Sequence, residues 1–140
     1  RLSLRDSAEL LRITHRRYVF LCVDATYAAR SKERITRLED RGIIILRFSG
    51  RRGRIKLPDV LREVYRYGIG SVLVEGGSSV FSQFREEGLD DETSIFVAPF
   101  MLGGGIPAFG EGTKPRATPR IAKTTIRLVG RDVLFQTVHR

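Results

Sequence analysis

The chain has 140 residues, 41% of them hydrophobic, enough for the core of one domain spanning 1–140 and too many for a disordered segment. Twenty-five lysines and arginines face 16 acidic residues, so the net charge of +9 favours anionic partners: nucleic acid, nucleotides or sugar phosphates. The single cysteine, Cys22, excludes an internal disulfide, and with His15 and His139 far apart in sequence no metal signature forms. In chain order, Tyr18 to Val23 predicts a strand with Cys22 as a buried core thiol. Ala28 to Arg41 predicts a helix with Ile35 and Leu38 facing inward and Gly42 as its cap. Ile43 to Phe48 is a second apolar strand, and Ser49 to Lys56 is a loop. Pro58 is expected at the first position of the next helix, where Leu57, Val60, Leu61 and Val64 recur at helical spacing before Gly68. Ser71 to Val74 reads as a buried strand, and Ser78 to Glu87 as a helix ended by Gly88. Glu92 to Ala98 is a strand stopped by Pro99. A Gly/Pro-rich loop runs to about Pro119. Thr124 to Val129 and Val133 to Val138 then form a β-hairpin around Gly130-Arg131-Asp132.

Strands alternating with helices imply an α/β fold with a mainly parallel sheet, and the hairpin adds an antiparallel edge. No apolar run approaches the roughly 20 residues of a membrane span. The polar, charged start is no signal peptide, so a cytoplasmic location is expected. The start at Arg1 suggests that sequence upstream is missing.

The segment Ser71 to Phe81 carries the most chemistry: strand, carboxylate, two glycines, helix start. Gly76 and Gly77 permit a sharp turn and close approach to the backbone. Val80, Phe81 and Phe84 share one helical face. Free amides and the dipole of such a helix start form an anion seat, suited to phosphate or pyrophosphate. The plainer alternative is a Gly-rich turn that binds nothing. Ligands in such sheets sit at the carboxyl ends of the strands. Asp24-Ala25-Thr26, Glu75-Gly76-Gly77 and the run Pro99 to Gly105 are expected to meet there. The triple glycine Gly103-Gly104-Gly105 suggests a loop that closes over a ligand, or else a plain connector. Two basic clusters stand out: Arg30-Ser31-Lys32 with Arg34 and Arg37, and Arg51-Arg52-Gly53-Arg54. Arginine suits bidentate phosphate contacts, although a solvated surface gives the same pattern.

Several linked motifs carry a family resemblance. They are Val74-Glu75-Gly76-Gly77, the run Gly88-Leu89-Asp90-Asp91-Glu92, Ala98-Pro99, and Leu102-Gly103-Gly104. In this order they resemble the C-terminal reductase domain of riboflavin biosynthesis. The stretch VDATYAARSKERITRLEDRGIIIL is similar to that family's preceding strand–helix–strand. The resemblance implies a dihydrofolate-reductase-like fold with helices on both sheet faces, and a homodimer. It also implies that the family's N-terminal third lies upstream of Arg1. The implied reaction is NADPH-dependent reduction of the ribosylamino side chain of a pyrimidine 5′-phosphate to the ribitylamino form. In that chemistry a hydride passes to C1′ of a ring-opened imine, and no protein nucleophile is needed.

Carried over by position, Glu75 matches the family's substrate-contacting glutamate, and its carboxylate can accept bonds from ribose hydroxyls or amino groups. The alternative for Glu75 is an anion that stabilises the helix dipole. Gly76, Gly77, Ser78, Ser79 and Val80 match the turn around the cofactor pyrophosphate. Thr26, Arg30, Ser31 and Lys32 follow the strand that ends near the adenosine 2′-phosphate in such folds. His15 and His139 are assigned no catalytic role. A non-catalytic relative, kept for nucleotide binding or dimerisation, is the rival reading. Nucleic acid is disfavoured as a partner, because the aromatics lie in apolar runs rather than between basic residues.

Overall fold

The computed structural model describes residues 8, 18–51, 54–101, 103–110 and 121–139. The chain divides into two compact units, Arg1–Val72 and Leu73–Arg140.

In the first unit, β1 (Val19–Asp24) and β2 (Ile43–Phe48) pair in parallel, from Val19 opposite Ile43 to Asp24 opposite Phe48. Both strands are near-continuous apolar runs, the pattern of a sheet covered on two faces. Two short helices, α1 (Ala25–Arg30) and α2 (Lys32–Glu39), connect them. Val19 and Val23 share one face with Ile43 and Ile45, and pack with Ala28, Ile35 and Leu38 into the buried core. Leu46, of opposite parity, is also buried. On that second face Phe20 stacks edge-on against Tyr67, the residue that ends α3 (Leu57–Arg66), at 4.8 Å between ring centroids. Helices therefore cover both faces of the parallel pair.

Four expectations change here. The helix from Ala28 to Arg41 begins earlier, at Ala25, because Asp24 caps it. It then breaks at Ser31, whose φ of −121° and ψ of 37° leave the helical region. The loop after β2 contains a small antiparallel ribbon, β3 (Gly50–Arg51) with β4 (Arg54–Ile55). Arg52 and Gly53 of the second basic cluster lie outside the described residues. Pro58 is the second helical residue, with Lys56 at the N-cap. Cys22 is half-buried rather than sealed in the core, and burial pushes its thiol up.

The predicted strand Ser71 to Val74 is not a strand. Apolar β-branched residues fit a pleated surface, but a strand needs a hydrogen-bonded neighbour. Among the described residues no strand pairs with this segment. Leu73 is 83% exposed, and the boundary between the two units falls just before it.

In the second unit, α4 (Ser78–Glu87) starts after Gly77 and ends at Gly88, whose φ of 64° is the left-handed cap conformation. An antiparallel sheet follows in the order β5 (Glu92–Val97), β7 (Asp132–His139), β6 (Ile121–Val129). The hairpin is present with a two-residue turn, Gly130-Arg131, and Gly130 takes φ 63°. The stretch 111–120 of the expected Gly/Pro-rich loop lies outside the described residues. Two cross-strand rows, Ile95–Phe135–Ile126 and Val97–Val133–Leu128, lie on one sheet face. At the end of the sheet, Asp90 pairs with Arg85, and the Thr93 hydroxyl lies 2.9 Å from Nε2 of the buried His139 side chain. Among the described residues no helix is long and apolar enough to cross a membrane, and no group of metal-binding side chains forms.

Candidate functional site

In the second unit the candidate residues gather around the start of α4. Gly77 is the N-cap, with φ −74° and ψ 177°. Its carbonyl accepts the amides of Val80 at 2.9 Å and Phe81 at 3.2 Å. The Ser78 and Ser79 amides precede these bonds and have no intrahelical acceptor, so the positive end of the helix dipole lies open beside them. Glycine supplies no capping side chain, which leaves room for an external anion. The two glycines have different duties. A Cβ on Gly76 would come within 2.8 Å of Val80 Cβ, whereas a Cβ on Gly77 would meet nothing within 4 Å. Gly76 lets the turn close on Val80, and Gly77 leaves open space at the amides. The left-handed backbone that a Gly-Gly turn suggests is absent at Gly77. Glu75 is exposed just before this turn. Val80 is 41% exposed and Phe81 and Phe84 are half-buried, so no residue of the predicted apolar face carries the deepest burial of α4.

That burial falls on Ser82, which is 3% exposed. Its hydroxyl donates to the Ser78 carbonyl at 2.7 Å and accepts from the Gly110 amide at 2.7 Å. Phe109 lies edge-on to Phe81, with centroids 6.4 Å apart. The loop after β5 is thus tied at Gly110 to the first turns of α4. Sequence reasoning missed this anchor, because Ser82 lies off the face shared by Val80, Phe81 and Phe84.

In the first unit, Asp24 closes β1 and caps α1: its Oδ1 accepts the Tyr27 amide at 3.0 Å, and its Oδ2 accepts the Gly50 amide at 3.0 Å. The Tyr27 bond leads in holding the carboxyl below its ordinary range, with the Gly50 and Thr26 amides and the Thr26 hydroxyl adding to it. Thr26 therefore serves Asp24. Arg30 ends α1, Ser31 sits at the break, and Lys32 opens α2. The Ser31 side chain makes no capping bond, and Arg30 and Lys32 are exposed. A hydroxyl and two cations thus stand on three consecutive residues at the start of α2, with Glu33 as the opposing charge in its first turn.

These features can be set beside known proteins. The family model described as the RibD C-terminal domain matches residues 1–135. The riboflavin biosynthesis protein RibD of Bacillus amyloliquefaciens is 37% identical over 113 residues, 78% of this chain and 29% of that protein. A 2,5-diamino-6-ribosylamino-4(3H)-pyrimidinone 5′-phosphate reductase of Aquifex aeolicus is 31% identical over 93 residues, 64% of this chain and 41% of that protein. The solved structure of Acinetobacter baumannii RibD, form 1, superposes with a TM-score of 0.72 at 25% identity, over 100% of this chain and 35% of that one. The chain spans about 29% of the length of the RibD proteins of Bacillus amyloliquefaciens and Actinobacillus pleuropneumoniae. A match over 135 of 140 residues, across both units, shows that the chain belongs to the RibD C-terminal domain family.

Proposed function

We propose that the chain is the NADPH-dependent reductase part of a riboflavin-pathway enzyme. It converts the ribosylamino side chain of a pyrimidine 5′-phosphate to the ribitylamino form. The reading is supported by the family membership and by the activity for which the Aquifex aeolicus relative is named. The observation that carries it is the start of α4: uncapped amides at Ser78 and Ser79, beside a glycine with free space above it. A dinucleotide pyrophosphate needs such an anion seat with no side chain in the way.

Gly76 to Val80 hold the pyrophosphate, and Arg30, Ser31 and Lys32 take the adenosine 2′-phosphate. Thr26 supports that second seat indirectly, through Asp24. When bound, NADPH supplies the hydride. Exposed Glu75 accepts hydrogen bonds from the ribosyl chain and orients it. The two units form one reductase domain. The assembly is a homodimer, supported by the exposed apolar rows that carry Ile95, Val97, Ile126 and Leu128. A cytoplasmic location follows from the pathway.

The test is substrate-dependent oxidation of NADPH by the full gene product, with a phosphoribosylaminopyrimidine as substrate. Turnover that Glu75→Gln lowers, with NADPH affinity kept, supports the reading. Turnover unchanged in Glu75→Gln removes the role given to Glu75.

A further inference from the structure

The hydroxyl of Ser82 joins two parts of the second unit that the sequence keeps far apart. Serine is a weak helix former, and a buried hydroxyl is costly unless its bonds are made. Ser82 sits in the middle of α4 and is its one buried residue. It donates to Ser78, the first residue of the helix, and it accepts from Gly110. Phe109 on Phe81 supports the same junction. Between β5 and this junction the loop exposes Phe100, Met101 and Ile106, Met101 completely. Apolar side chains carried on a tethered span gain by covering a ligand. The tether ends one helical turn from the open amides of Ser78 and Ser79.

We propose that Ser82 is a positioning residue. It fixes the loop at Gly110 to the first turn of α4, so that the described residues 99–101 and 103–109 close over NADPH held at that turn. This rests on the pyrophosphate reading of Gly77 to Ser79. The covering residues are Phe100, Met101 and Ile106. Ser82 itself touches no ligand and acts by aiming the loop.

The chain contains no tryptophan, so Met101→Trp places a single tryptophan on the loop, excited apart from the four tyrosines. NADPH added to this variant should change its emission saturably, with free tryptophan amide as the optical control. Adding Ser82→Ala should raise the half-saturation about threefold to tenfold, the loss of one ordinary hydrogen bond. Ser82→Thr, which keeps the hydroxyl, should restore most of it. Phe109→Ala loosens the same root without opening a buried polar site, and should act like Ser82→Ala. Calorimetry with NADPH tests the pyrophosphate reading separately. Binding heat with no change in emission shows that the loop does not close, and overturns this inference while the nucleotide reading stands. Unchanged half-saturation in both Ser82→Ala and Phe109→Ala overturns it as well. No binding heat in the parent chain removes both readings together.

Discussion

Gly50 donates its amide to Asp24 Oδ2 at 3.0 Å, closing a 26-residue span of sequence with one hydrogen bond. The other oxygen of Asp24 holds the Tyr27 amide at the start of α1. One carboxylate therefore fixes both a helix start and the ribbon that follows β2. Because these bonds favour the charged form, the folded pKa lies below the unfolded one. The stabilisation is thus complete above the ordinary carboxylate pKa of about 3.9 and is lost as pH falls through the folded value. Thermal melts should show Asp24→Asn less stable than the parent at neutral pH. The gap should narrow as pH falls below about 4, where the unfolded carboxylate protonates first, and toward the lowered folded value. A gap independent of pH would show that charge plays no part.

Gly76 and Gly77 are expected to respond oppositely to alanine. At Gly76 the new Cβ meets Val80 Cβ at 2.8 Å, so Gly76→Ala should cost about 1–3 kcal/mol, the range for overpacking. Val80→Ala should recover only part of this, since the contact is with Cβ itself. At Gly77 the Cβ meets open space on an ordinary extended backbone, so Gly77→Ala should stay within about 0.5 kcal/mol of the parent. Urea melts decide the pair. Equal losses would mean that the turn is not packed as described.

The apolar rows of the antiparallel sheet are the contact surface of the proposed dimer. Ile126 is 61% and Leu128 76% exposed. Light scattering should find a dimer, and Ile126→Glu with Leu128→Glu should convert it to a folded monomer. A dimer that survives both changes places the contact elsewhere.

Arg30 and Lys32 are expected to separate NADPH from NADH. A charge-assisted bond to phosphate contributes roughly 1.5–3 kcal/mol, less at an exposed pair. Arg30→Ala should therefore weaken NADPH about tenfold and leave NADH nearly unchanged, and salt should weaken the parent's NADPH binding. Equal affinity of the parent for both cofactors would reduce the cluster to a solvated surface.

Much of the fold was legible in the sequence because it rests on local pattern. The apolar runs gave β1 and β2, the 3.6-residue spacing gave the inward faces of Ile35 and Leu38, and Gly88 and Gly130 marked a cap and a turn. Ser71 to Val74 failed because pairing, unlike propensity, is a property of neighbours. The early start at Ala25 follows from the Asp24 cap, which an aspartate three residues before Tyr27 announces. The Ser82–Gly110 anchor was illegible, since it depends on where a loop returns 28 residues later. At the candidate site, the glycine pair was visible in the sequence, but the division of labour between Gly76 and Gly77 required coordinates.

The most direct measurement is calorimetric titration of NADPH into the parent chain and into Gly77→Val, with circular dichroism as the folding check. Gly77 has φ −74° and free space around it, so valine fits the fold while filling the volume beside the Ser78 and Ser79 amides. The parent should bind NADPH, and the folded variant should lose most of that affinity. A folded Gly77→Val chain with the parent's affinity, or a parent chain with no binding heat, would contradict the seating of the pyrophosphate at the start of α4.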